Sequence, residues 1–332
     1  GIRAAESVLI VVSGKSGVNV GTEKAYKAAT KMGKSKLFYV NKMDRENADF
    51  TKVLAQMKEV FGNHICPMVV PYVENHKVVC YVNLVENTVF AYDASGQRKE
   101  RELPAAAADY IEEMKNNLYE AIAETSEELM DKFFSGEPFT QEEISSGLLS
   151  GVKSGTIAPV FCGSALTTEA IHPLLNAMIS ILPSAADNAG EMAVAPDGKE
   201  VMIDCDENQP FAGLVFKTVA GPFVGKLSFI KVVAGRLTAA STPVNVRTGE
   251  PERLGKLICV KGKKQEDADA IFAGDIGAVT KLSSAITGDT LCDPKRVVSF
   301  KPAEFPKPCL TMAITVKNKG DEGKIAAALA RL

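Results

Sequence analysis

The chain has 332 residues, 46% of them hydrophobic, with 38 Lys and Arg against 41 Asp and Glu, a formal net charge of −3. That length and apolar content suit two or three domains with separate cores, and the balanced charge excludes overall electrostatic attraction to nucleic acid, so any RNA contact must be local. The seven cysteines show neither C-x-x-C pairing nor zinc spacing, which points to reduced thiols in a cytoplasmic protein and to no metal. No apolar run approaches the ~18 residues of a membrane span, and no charged leader precedes one.

Ser7 to Val12 is an unbroken apolar run with the β-branched bias of a strand covered on both faces. The Gly14-Lys15-Ser16 that follows invites a phosphate-binding loop, but that motif needs a glycine where Leu9 stands. Without it the backbone cannot wrap a phosphate, which also counts against a nucleotide kinase. A helix is expected after Thr22 as N-cap, ending at Gly33.

Phe38-Tyr39-Val40 is a second buried-strand run, and it stops at Asn41-Lys42-Met43-Asp44. A polar tetrad at the carboxyl end of such a strand lies where open α/β sheets bind ligands. Its chemistry suits guanine. The Asp44 carboxylate accepts from N1–H and the 2-amino group, a fork that adenine does not offer; Asn41 reaches N7 and braces the neighbouring loop, and the Lys42 stem covers a ring face while its ammonium stays wet.

Phe50, Val53, Leu54, Met57, Val60 and Phe61 then form one helical stripe. From near Ile65, alternating runs at Val78 to Val82 and Thr88 to Tyr92, broken at Asp93 to Gly96, predict a hairpin or small sheet. A long amphipathic helix carrying Ile111, Met114, Leu118, Ile122 and Leu129 follows, and the capping box of Thr140 and Glu143 opens another.

Val160-Phe161-Cys162-Gly163-Ser164-Ala165 is a further apolar run ending in small residues, which let backbone N–H groups of Ser164 and Ala165 approach a base, with Ala165 N–H donating to guanine O6. The helix after it presents Ile171, Leu174, Leu175, Met178, Ile179 and Leu182 before Pro183. His172 has no ligand partner at metal spacing and reads as a surface or cap residue.

Together the Asn41 to Asp44 and Ser164 to Ala165 loops resemble the two base-recognition motifs of translational GTPases. Gly163 to Leu166 running into Ile171-His172-Pro173-Leu174-Leu175, and Thr287-Gly288-Asp289-Thr290-Leu291-Cys292-Asp293, are similar to the elongation factor G family. The resemblance extends over essentially the whole chain. It implies an incomplete α/β GTPase sheet at 1–64 and 156–184, interrupted by an α+β insertion at 65–155 that elongation factor Tu does not carry. A linker at 185–200 leads to an all-β barrel at 201–302, and 303–332 opens an α+β third domain with a strand at Leu310 to Val316 and a helix from Asp321.

The barrel reading has its own support in short strand-like runs, Phe211 to Val219, Lys226 to Val233, Pro243 to Arg247, Leu254 to Val260 and Ile276 to Leu282, separated by glycine-rich turns. Gly221-Pro222-Phe223-Val224-Gly225 and Ala273-Gly274-Asp275 resemble the family's second domain, with Gly221 where an acidic residue is usual. The Ser13 to Gly17 loop also departs from the family pattern. Lys261 to Lys264 reads as a solvated turn, with acidic Glu266, Asp267 and Asp269 close behind.

The resemblance implies GTP and GDP as ligands, held at the base by Asn41, Lys42, Asp44, Ser164 and Ala165. It implies Mg²⁺ in a longer parent, whose phosphate loop, switch segments and Mg²⁺-binding threonine are not in these residues, so no catalytic residue and no hydrolysis are expected here. The implied parent is a cytoplasmic, monomeric GTPase that works on the ribosome, contacting rRNA and ribosomal proteins, and couples GTP hydrolysis to movement of tRNA and mRNA. A paralogue acting in ribosome recycling or protection, or a non-enzymatic ribosome-docking module, is the alternative.

Overall fold

A computed structural model describes residues 1–332 apart from 94, 189, 222–224, 318–319 and 330–332. The expected turn at Asp93 to Gly96 and the tip between Gly221 and Gly225 lie partly outside the described residues. The chain divides into two units, 4–183 with Ile2, and 184–332 with Gly1 and Arg3.

The first unit is built on a parallel sheet of β1 (Ser7–Ser13), β2 (Ser35–Asn41), β3 (Ile65–Pro67) and β8 (Ala158–Cys162), in the order β1-β2-β8-β3. Leu37, Phe38, Val40, Val160 and Cys162 are completely buried, because helices cover the faces. These are α1 (Val20–Lys31), α2 (Phe50–Phe61), α5 (Gln141–Ser154), which packs on β2 and β8, and α6 (Ile171–Ile181). Asn19, rather than Thr22, caps α1: its side chain accepts from Thr22 N at 3.1 Å, so the helix opens three residues earlier than its apolar pattern indicates.

Beside this sheet, β4 (Val69–Glu74), β5 (Lys77–Asn83), β6 (Thr88–Tyr92) and β7 (Arg98–Glu100) form an antiparallel sheet, followed by α3 (Ala108–Ala123) and α4 (Glu127–Ser135). Three expectations change here. Ile65 to Pro67 is not the start of an insertion but an edge strand of the parallel sheet, buried in all three residues. Leu129 is not on the long helix: that helix ends at Ala123, and Ser126 caps α4 by accepting from Leu129 N. The last helix of the expected insertion packs on the parallel sheet. Its capping box is formed, with Thr140 N donating to Glu143 Oε2 at 2.7 Å and Glu143 N to Thr140 Oγ1 at 3.2 Å.

In the second unit the expected linker is itself structured. β9 (Glu191–Val194) and β10 (Glu200–Ile203) make an antiparallel hairpin joined by β20 (Ser299–Phe300). Ala193, Ile203, Val298 and Phe300 are buried in one cluster; alternation in four-residue strands is too short to stand out from a polar segment.

The rest is antiparallel. β11 (Ala212–Gly221), β12 (Gly225–Ala234), β14 (Val244–Asn245), β15 (Leu257–Lys261), β16 (Lys264–Asp267), β18 (Ile276–Thr280) and β19 (Thr290–Cys292) run in the order β14-β19-β11-β12-β18-β15-β16. With the pair β13 (Arg236–Thr238) and β17 (Ala270–Phe272) they surround a core of Val215, Ile230, Leu237, Leu257, Ile271, Val279 and Leu291. Leu310 to Val316, expected as a strand, pairs with nothing among the described residues: Leu310 and Met312 are each 76% exposed, since a strand needs a neighbour for its N–H and C=O groups. The helix after Asp321 is present as α7 (Glu322–Leu329).

Two buried carboxylates organise the turn before β19. Glu252, fully buried, accepts from Ser283 N at 2.8 Å, Ser284 N at 2.9 Å and Ser284 Oγ at 2.6 Å. Asp289 accepts from Asn245 Nδ2, Ile286 N and, twice, Arg247 at 2.8–3.0 Å. Burial alone would push both carboxyls up, but these hydrogen bonds outweigh it and hold them below their ordinary 4.5 and 3.8. A depressed folded-state value stabilises above the unfolded value and is lost on acidification. Thermal stability of the second unit should therefore hold down to about pH 5 and fall below about pH 4.5. Glu252→Gln, which turns an NH₂ toward these donors, should flatten that acid slope and cost about 1–3 kcal/mol at pH 7. Melting curves across pH 3–8 for the two proteins test this, and an unchanged slope in the variant would refute it.

Candidate guanine-base site

β2 and β8 are adjacent and parallel, with Val40 opposite Cys162, so the loops after them emerge side by side at one sheet edge. Backbone bonds stitch them together: Gly163 N donates to Val40 O at 3.0 Å and Met43 N to Gly163 O at 3.1 Å. The Asn41 side chain completes the join. Its Oδ1 accepts from Lys42 N at 2.7 Å and from Ala165 N at 2.9 Å. With that oxygen held by two N–H groups, the amide presents its NH₂ as a donor.

Lys42 is exposed and sits at φ 69°, a left-handed conformation that a long L side chain adopts only when its surroundings impose it. The Asp44 side chain is 16% exposed, with Arg45 Nε 3.2 Å from Oδ2. Its two oxygens are a purely accepting pair at the rim of the loop.

The second loop differs from expectation in which N–H groups are available. Ser164 is fully buried, its N–H donates to Glu169 O at 3.1 Å, and its Oγ accepts from Leu166 N and Thr167 N, each at 3.2 Å. Ser164 therefore shapes the loop from inside, and its N–H is not directed at a ligand. Ala165 is exposed, and its N–H, expected to face a base oxygen, lies on Asn41 Oδ1. A short loop cannot turn both N–H groups outward while also closing on itself.

Several supporting residues carry no signal in the sequence. Gly14 N donates to Asn41 O at 2.7 Å and Gly14 O accepts from Asp49 N at 3.0 Å, so the loop after β1 braces the Asn41 backbone. A Cβ at Gly14 would stand 2.9 Å from Met43 Sδ and 3.2 Å from Asn41 O. The same loop closes on itself through Gly17 N to Ser13 O at 2.8 Å, and no helix starts until Val20. Tyr39 lies beneath, 2% exposed; burial first, then the nearby Cys162, Tyr92, Glu169 and Asp44, push its phenol well up, so it remains a neutral donor. His172 is the second residue of α6, with Asn176 Nδ2 3.3 Å from its Nδ1.

Asp44 thus offers a dual acceptor and Asn41 an NH₂ donor at one sheet edge, while the Ala165 N–H beside them is taken by Asn41 Oδ1. Among the described residues no group of three or more His, Cys, Asp or Glu side chains could hold a metal ion, and no helix is long and apolar enough to cross a membrane.

Residues 1–184 match the model of the elongation factor Tu GTP binding domain. The chain belongs to that family. Residues 210–294 match elongation factor G domain 2. Among solved structures, a Thermus thermophilus protein aligns over 99% of this chain at 26% identity with a TM-score of 0.83. The chain spans 47% of that protein's length. The α/β unit with its parallel sheet, followed by an antiparallel β-rich domain, is thus a translation-factor arrangement.

Proposed function

We propose that this chain is the base-reading part, with the second domain, of a ribosomal translocation GTPase of the elongation factor G type, which couples GTP hydrolysis to tRNA and mRNA movement. The observation that carries the reading is the Asn41 Oδ1 to Ala165 N bond at 2.9 Å. It unites the two loops into one recognition edge, in a chain whose second domain matches elongation factor G. In this reading Asp44 accepts from N1–H and the 2-amino group, Asn41 donates to N7, and Ala165 N–H turns to the 6-oxo group, sharing or releasing the Asn41 oxygen. Lys42 covers the ring, and Ser164 holds the loop in shape.

Base and phosphate recognition are then divided between different parts of the protein. No G-x-x-x-x-G-K-[ST] occurs in the 332 residues, and most GTP affinity comes from charge-assisted bonds to phosphates and Mg²⁺. Calorimetry of the 332-residue chain with GDP should show no tight site, and a submicromolar dissociation constant would contradict this division. For the complete protein, ribosomes should accelerate GTP hydrolysis; a rate indifferent to ribosomes would overturn the proposal.

A further inference from the structure

The loop from Gly163 to Ala170 is held from below by three tyrosines that none of the base contacts uses. Tyr81 Oη donates to Glu169 Oε2 at 2.9 Å, and Tyr92 Oη accepts from Ala170 N at 3.0 Å. Tyr39 Oη donates to Glu169 O at 3.3 Å, the same oxygen that receives Ser164 N. Tyr39 belongs to the parallel sheet, but Tyr81 and Tyr92 come from β5 and β6 of the antiparallel sheet.

These contacts are built rather than incidental. Tyr81 is 1% exposed and Ala170 fully buried, while Tyr92 and Glu169 are partly buried, so both hydroxyl contacts lie where water competes less than at the surface. The rings are fixed by their own packing: Tyr81 stacks on Phe90 at 5.8 Å, and Tyr92 meets Phe90 and Tyr81 edge-on at 6.0 and 6.2 Å. Burial drives the Tyr81 phenol far up, leaving it a neutral donor. The loop also needs holding. Thr168 at φ 62° and Ala170 at φ 55° are both left-handed without being glycine, a conformation that survives only when the surroundings impose it.

The chain of contacts ends at the base edge. Tyr81 fixes Glu169, Glu169 O fixes Ser164 N, and the next N–H in the chain is that of Ala165. We propose that Tyr81 and Tyr92 are positioning residues through which the antiparallel sheet sets the Ala165 N–H, and with it discrimination at purine position 6. The inference rests on the guanine-base reading above. It separates two specificities: positions 1 and 2 are read by Asp44 on the first loop, position 6 by the loop these tyrosines hold. Loosening the second should leave the first intact.

The test uses the complete protein and three probes: GDP, xanthosine diphosphate, and the diphosphate of 2,6-diaminopurine riboside, which puts an NH₂ where guanine has its 6-oxo group and a bare N1 where guanine has N1–H; the N1 change meets the same Asp44 in wild type and variant, so only the difference between the two proteins reports on position 6. The Tyr81→Phe/Tyr92→Phe double variant keeps both rings. It should bind GDP about tenfold more weakly, the scale of one or two lost hydrogen bonds. Its preference for GDP over the diaminopurine analogue should fall, because a looser N–H no longer clashes with the 6-amino group, while its preference for GDP over xanthosine diphosphate stays unchanged. Glu169→Gln, which keeps an acceptor for Tyr81, should behave as wild type, and Glu169→Ala as Tyr81→Phe. Wild-type affinities in the double variant, or an equal loss for all three probes, would overturn the proposal. If Asp44→Asn in the same assay leaves the preference for GDP over xanthosine diphosphate untouched, the guanine-base reading itself fails, and the inference fails with it.

Discussion

A complete protein carrying Asp44→Asn is expected to exchange its preference for GTP for one for XTP. Ionised Asp44 offers only acceptors, and guanine presents N1–H and a 2-amino group to them. The Asn NH₂ would face that amine, donor against donor. Each charge-assisted bond contributes roughly 1.5–3 kcal/mol, so losing the one to the 2-amino group and reducing the N1–H bond to a neutral one should cost about 2–5 kcal/mol, on the order of thirtyfold to several-thousandfold in GTP affinity. Xanthine has a 2-oxo group that accepts from the Asn NH₂, while its N1–H still donates to the amide oxygen. Competition of GTP against XTP measures the outcome. Retained preference for guanine would remove Asp44 from base recognition. The neighbouring Arg45, 3.2 Å from Oδ2, loses its ion pair in the variant, but that pair is solvent-exposed on the Arg45 side and contributes little.

Gly163→Ala should unfold the first unit early. An added Cβ would lie 2.2 Å from Glu169 O, 2.6 Å from Tyr39 Oη and 3.0 Å from Ala170 Cβ. The closest of these is a backbone oxygen, so no rotamer change relieves the clash. The loop must move, which breaks the Ser164 N to Glu169 O bond and strains the two bonds that Gly163 makes to β2 and Met43. Overpacking with loss of one or two buried hydrogen bonds costs about 3 kcal/mol, equivalent to roughly 6–12 °C for a unit of this size. Thermal unfolding followed by circular dichroism gives the number. A midpoint within a degree or two of wild type would show that the loop has room which the structure denies.

What could be read from the sequence was local. The apolar run ending at Asn41 fixes its own strand and the position of the polar tetrad at its end, and the capping box at Thr140 marks a helix start through residues three apart. The second loop shows where that reasoning stops. Small residues after Cys162 indicate a close backbone approach, yet which N–H faces outward depends on Glu169 accepting from Ser164 and on Asn41, 124 positions away, accepting from Ala165. Tyr81 and Tyr92 resemble ordinary strand aromatics, since their partners are 88 and 78 positions distant. Ile65 to Pro67 joins the parallel sheet with too few residues to show a period. Leu310 to Val316 has strand composition, but composition does not supply a neighbour.

The adjacency of β2 and β8 also sets an order of events during synthesis. Asn41 to Asp44 leaves the ribosome about 120 residues ahead of Ser164, a delay of roughly 6–24 s at ordinary elongation rates. Until β8 is released, β2 has β1 on one side and no companion on the other, and its second edge is open to mispairing. The antiparallel sheet between them consists of neighbouring hairpins with short loops, a topology that closes quickly. Its collapse draws the two distant ends together and reduces the entropy lost when β8 docks. The lobe whose tyrosines support the mature loop would thus already be in place to guide the strand that carries it.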